Sequence, residues 1–165
     1  MSQVFVAAGS NIDPERNLAR ALAELRRQFP DLAVSPAYRN RAAGFEGDDF
    51  VNLVVRFTTD LPVRELLAQL HRMEVACGRP RDAPKWAPRT MDLDVLLYGD
   101  LVCDTPELRL PRPDLLKRSF MLGPLADLAP DLVHPTAGKT IAELWHAMDR
   151  ASHPLVRLPD DALRG

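Results

Sequence analysis

Gly78-Arg79-Pro80-Arg81-Asp82-Ala83-Pro84-Lys85-Trp86-Ala87-Pro88-Arg89-Thr90-Met91-Asp92-Leu93-Asp94-Val95-Leu96-Leu97-Tyr98 changes character halfway along. Its first half is irregular, with three prolines, four cations and a tryptophan. Its second half alternates and then turns apolar, which predicts a strand entering a buried sheet. Alternate strand side chains share a face, so Asp92 and Asp94 stand together while Met91, Leu93 and Val95 face a core.

Two neighbouring carboxylates repel, and one is driven to protonate unless a cation intervenes. Mg²⁺ suits that place, because it takes oxygen ligands from one or two carboxylates and from substrate phosphates. Arg79, Arg81, Lys85 and Arg89 lie just upstream, and guanidinium groups pair with phosphate oxygens through two donors at once. A dicarboxylate metal site beside a cationic loop is an arrangement for phosphoryl transfer. The plainer alternative is a solvent-facing Asp-x-Asp pair on an edge strand, neutralised by the arginines. Trp86 reads either as a loop anchor or as a lid over a flat substrate.

Outward from this stretch, the pattern is strand, helix, strand, strand, helix, strand. Gln3 to Ala8 is the first strand. Asp13 and Pro14 open a helix whose apolar positions run from Leu18 to Phe29. Leu32 to Arg39 is a second strand, interrupted at Pro36. Arg41 to Asp49 is a loop, and Phe50 to Thr58 a third strand. Pro62 opens a second helix, which Gly78 is placed to end. His71 and Glu74 share a face of that helix. Gly99-Asp100 predicts a hairpin turn into Leu101 to Cys103. Asp114 is placed to cap a short turn carrying Lys117 and Arg118. Helices are expected over Phe120 to Leu128 and Ile141 to Met148, and a loosely held end after Ser152. The expected class is α+β: a ferredoxin-like βαββαβ core with a mainly antiparallel sheet, helices packed on it, and a C-terminal helical appendix. Residues 1–150 are expected to form one domain and residues 151–165 a tail.

The 165 residues carry a net charge of −2, against a general nucleic-acid binder. Cys77 and Cys103 show neither CxxC spacing nor a disulfide framework, as expected of thiols in a reducing cytoplasm. The N-terminal stretch lacks a signal-peptide pattern, and no apolar run reaches membrane-spanning length. Gly138-Lys139-Thr140 imitates the end of a P-loop, but Val133 stands where the pattern needs glycine. His71, His134, His146 and His153 show no metal-ligand spacing. Phe50 and Asn52 share a strand face, where a ring can stack while an amide reads a heterocycle's edge.

Lys85 to Leu97 resembles the signature of the 6-hydroxymethyl-7,8-dihydropterin pyrophosphokinases. Ala8-Gly9-Ser10-Asn11, Phe50-Val51-Asn52, Glu74 with Gly78-Arg79, and Arg118 to Leu125 agree in order. The resemblance implies a ferredoxin-like enzyme of folate biosynthesis that transfers pyrophosphate from ATP to the pterin hydroxymethyl group, releasing AMP. It implies two Mg²⁺ ions at Asp92 and Asp94, with Arg79 and Arg89 on phosphates. His71, Glu74, Arg81, Lys85, Trp86, Arg89, Arg112 and Arg118 would lie around ATP. Ala43, Gly44, Phe50, Asn52, Trp86, Asp92 and Phe120 would lie around the pterin. The chain departs from the family at Arg112 and His71, where histidine and glutamine are usual, and in the Asn40 to Asp49 loop. A monomer without nucleic-acid or membrane partners is expected. The rivals are an ordinary kinase that releases ADP and a ferredoxin-like ligand- or RNA-binding module; the latter should show exposed aromatics and a basic sheet.

Overall fold

A computed structural model describes residues 1–40, 49–77, 91–149, 151 and 154–163. In chain order its elements are β1 (Ser2–Ser10), α1 (Pro14–Gln28), β2 (Ala33–Val34), β3 (Tyr38–Asn40), β4 (Phe50–Thr59), α2 (Val63–Ala76), β5 (Asp92–Tyr98), β6 (Cys103–Asp104), β7 (Arg109–Leu110), a 3-10 turn (Pro113–Leu116), α3 (Ser119–Leu128), α4 (Ile141–Ala147) and β8 (Val156–Arg157). The main sheet runs β5-β1-β4-β3-β8, with β2 also on β4. Its pairings are antiparallel. This is the expected ferredoxin-like order, with the second strand in two pieces.

β1 sits at the centre because it is apolar on both faces, and every residue from Val4 to Ser10 is buried. Val4, Val6 and Ala8 pack toward α1 and α2 with Leu18, Leu22, Leu66 and Leu70, and Met91, Leu93 and Val95 join them. Phe5 and Ala7 face the other way, with Met121, Leu122, Leu125 and Ile141 from α3 and α4. Each fully buried Val, Leu, Ile, Phe or Met side chain among them contributes about 1.5–3 kcal/mol.

Local chemistry alters several expected details. The second strand breaks at Ser35-Pro36, since Pro36 has no N–H; the Ser35 hydroxyl instead accepts the N–H of Val54 at 2.9 Å. Asp13 precedes α1 but makes no side-chain cap and has φ 42°. The turn is braced instead by Ser10, whose hydroxyl donates to Ile12 O at 3.1 Å, and by the amide of Asn17, which donates to the same oxygen at 2.5 Å. The Gly99 turn closes, with Leu101 N–H donating to Tyr98 O at 3.0 Å, but the following strand pairs with β7 rather than returning along β5. The reason is local: Arg112 takes a place on β5, its N–H donating to Leu96 O at 3.0 Å. Asp114 lies inside the 3-10 turn instead of capping it, because Pro113 starts the turn one residue earlier. The expected loose end includes β8, which pairs with β3, while Leu158 and Leu163 pack on the core. The expected stop at Gly78 lies outside the described residues.

Candidate active site

Strand register assembles the site. Tyr38 pairs with Asn52, Asn52 with Gly9, and Gly9 with Asp92. Register partners on an antiparallel sheet point to one face, so these four residues form a row across it. Two residues farther along β5, Asp94 is level with Ala7, so it lies on the α3 side of the sheet. Phe50, level with Asn40, continues the row's face at the opposite end.

Gly9 is required here by close approach. A Cβ at this position would stand 2.3 Å from Asn52 Oδ1, a distance that real Cβ atoms do not tolerate. Asn52 is 6% exposed, and its amide nitrogen donates to Asn40 Oδ1 at 2.5 Å. That bond orients the amide and turns its oxygen toward Gly9. The role of Asn40 was not legible in the sequence, because its only signal is two-residue spacing from Tyr38 in a strand whose partner is unknown until the sheet forms.

Helix α2 holds β5 from its other face. Glu74 is 5% exposed, and its Oε2 accepts the N–H of Leu93 at 2.8 Å. Leu93 lies between the two aspartates, on the terminal strand of the sheet. His71 Nδ1 stands 3.4 Å from Glu74 Oε1. Glu74 therefore fixes the backbone that carries the acidic pair.

Positive charge meets that pair from the segment after β7. Arg112 Nη1 lies 3.7 Å from Asp94 Oδ1, and its Nε lies 3.5 Å from Asp114 Oδ2. Arg118 is exposed at the start of α3, and Phe120 packs on the α3 cluster. Thus Asp92, Asp94, Arg112, Asn52 and Glu74 are brought together by contact or register. Phe50, Phe120, Arg118 and His71 stand on adjoining elements. Ala43, Gly44, Arg79, Arg81, Lys85, Trp86 and Arg89 lie outside the described residues.

The pair suits a hard cation: it offers oxygen donors only, and Asp94 already attracts a guanidinium. Among the described residues no cluster of three or more His, Cys, Asp or Glu side chains is placed to hold a metal. Two carboxylates would leave most of an octahedral shell to phosphate and water, as Mg²⁺ prefers. Among the described residues no helix is long and apolar enough to cross a membrane.

Fold and strand order together define a ferredoxin-like α+β domain. The sequence profile described as 7,8-dihydro-6-hydroxymethylpterin-pyrophosphokinase (HPPK) matches residues 5–130. A Pseudomonas aeruginosa protein named 2-amino-4-hydroxy-6-hydroxymethyldihydropteridine pyrophosphokinase is 40% identical over 151 residues, covering 89% of this chain and 92% of its own. An Aquifex aeolicus protein of the same name is 35% identical over 145 residues, covering 87% and 90%. The crystal structure of Plasmodium falciparum HPPK-DHPS, a triple mutant with pteroate, superposes with a TM-score of 0.67 at 13% identity, covering 88% of this chain and 41% of that longer one. The chain belongs to the HPPK family.

Proposed function

We propose that this protein transfers the terminal diphosphate of ATP to the hydroxymethyl oxygen of 6-hydroxymethyl-7,8-dihydropterin, a step of folate synthesis, with two Mg²⁺ ions held at Asp92 and Asp94. Family membership supports the reaction. The observation that carries the site is the single row holding Asn52, Gly9 and Asp92. With no side chain at Gly9, the backbone positions of Asn52 and Asp92 stand two strand spacings apart, about 9–10 Å, and the Asn52 amide oxygen leans over Gly9 into the space between them. A flat bicyclic ring is assigned to this face, with Asn52 reading its polar edge and its hydroxymethyl group directed to the acidic corner.

In the reaction the hydroxymethyl oxygen forms a bond to the β-phosphorus. The bond from that phosphorus to the α–β bridging oxygen breaks, AMP leaves with the oxygen, and the hydroxyl proton passes to solvent. Bound Mg²⁺ would supply neutralisation of the triphosphate and a lower pKa for the hydroxyl group. Asp92 and Asp94 would hold the ions. Arg79 and Arg89 are assigned to charge developing on the β-phosphoryl group. His71, Arg81, Lys85, Trp86, Arg112 and Arg118 are assigned to the nucleotide, and Glu74 serves it through the β5 backbone. Ala43, Gly44, Phe50, Trp86 and Phe120 are assigned with Asn52 to the pterin.

The test is product identity. Protein, ATP, Mg²⁺ and the hydroxymethyldihydropterin are incubated and the nucleotides separated by chromatography. One AMP per pterin consumed is expected. ADP as the nucleotide product overturns the reading in favour of single phosphoryl transfer.

A further inference from the structure

Arg112 is seated beside the acidic pair by its backbone. Pro111 and Pro113 flank it and have no N–H, so Arg112 supplies the one backbone donor of this tripeptide. That donor binds Leu96 O at 3.0 Å. Leu96 is two residues beyond Asp94 on β5, and the guanidinium is thereby delivered to the Asp94 carboxylate.

The side-chain contacts are loose. Nη1 stands 3.7 Å from Asp94, and Nε 3.5 Å from Asp114. Charge-assisted N–H···O⁻ bonds close to about 2.7–2.9 Å. Arg112 Nε is also buried without a hydrogen bond among the described residues. The guanidinium is therefore shared between two carboxylates and bound tightly by neither. Asp94 and Arg112 each keep about a quarter to a third of their side-chain surface exposed, 26% and 32%, so water and ions reach the pair.

We propose that Arg112 and the divalent cation are alternative partners of Asp94. In the metal-free protein the guanidinium neutralises the acidic corner; when the cation binds, Arg112 withdraws toward Asp114. The inference rests on the metal reading above. Its physical basis is charge: a dication held by an Asp94 oxygen would occupy the region that the guanidinium serves, and two positive groups that close would repel. Arg112 thereby suppresses the mutual repulsion of Asp92 and Asp94 before substrate arrives, and the metal binds in competition with it.

Mn²⁺ alone is the probe, followed by loss of the free-ion electron paramagnetic resonance signal on titration with the whole chain at fixed ionic strength and without nucleotide. An exposed or half-exposed ion pair is worth up to about 1 kcal/mol, so Arg112→Met is expected to bind Mn²⁺ about fivefold more tightly than the unaltered protein. Arg112→Lys keeps the charge and is expected to stay near the unaltered affinity. Arg109→Met removes an exposed cation nearby, whose own partner is Asp104, and should change little. Affinity of Arg112→Met equal to or weaker than the unaltered protein overturns the proposal, since Arg112 would then support Asp94 as a ligand. Equal tightening in all three variants also overturns it, because a general field and not exchange would be responsible. If no variant and no unaltered protein takes up Mn²⁺, the metal reading falls and this inference with it; the AMP assay is independent of that result.

Discussion

Glu74 on α2 accepts the N–H of Leu93 at 2.8 Å, so the residue between the two site aspartates is anchored from the opposite side of the sheet. The bond couples the packing of a helix to the aim of two carboxylates. Glu74→Ala leaves that buried N–H unpaired, at a cost of about 1–3 kcal/mol. Urea unfolding should show the loss. Turnover should fall about tenfold or more, because misplacement of about 1 Å is expensive in catalysis. Glu74→Gln keeps an acceptor and should retain most of the stability. Equal stability of the alanine and glutamine variants would remove Glu74 from this role.

Gly9→Ala tests the row across the sheet. Its Cβ would meet Asn52 Oδ1 at 2.3 Å, so the amide must turn away or β1 must shift. Overpacking of this kind costs about 1–3 kcal/mol. The expected signature is weaker pterin binding, read by calorimetry, with ATP binding changed far less. Unaltered pterin affinity would argue against Asn52 as its reader.

Asp92→Asn and Asp94→Asn preserve shape while removing charge. Each should lower turnover about 10³-fold or more, the scale of losing a principal electrostatic contributor. Melting temperatures should move by only a few degrees, since neither side chain belongs to the apolar core. Near-normal activity in either variant would contradict the metal assignment.

His134, away from the candidate site, is expected to set a pH limit on stability. It is 2% exposed, and its Nδ1 accepts the N–H groups of Thr136 at 3.2 Å and Ala137 at 3.0 Å. Burial holds its pKa below the ordinary 6.5. The folded state thus resists protonation more than the unfolded chain does. Its contribution is complete above the unfolded value and is lost as pH falls from there through the lowered folded value. Melting temperature followed from about pH 8 to about pH 5 should fall more steeply for the unaltered protein than for His134→Gln. Parallel curves would show that another group governs the acid limb.

Much of the fold was legible because local rules agreed with the tertiary result. The continuous apolar run of β1 required burial on both faces, and the period of α1 and α2 predicted which side chains would meet it. The alternation from Met91 to Val95 put Asp92 and Asp94 on one face without any knowledge of the neighbouring strands. Where local rules competed, reading failed. Asp13 is a good capping residue, but the Ser10 and Asn17 side chains had already organised that turn. Gly99 makes its turn, yet Arg112 occupies the strand edge that a hairpin would have needed.

The sequence by itself determined the class of chain, the acidic pair and the shared face of Phe50 and Asn52, because each depends on spacing within one element. Only the tertiary structure decided that Gly9 lies between Asn52 and Asp92, that Asn40 orients the Asn52 amide, that Glu74 holds Leu93, and that Arg112 faces Asp94. Those relationships join residues far apart in the chain, and they exist only once strand register has been set. Register is a collective outcome of packing two sheet faces at once, and no single segment carries it.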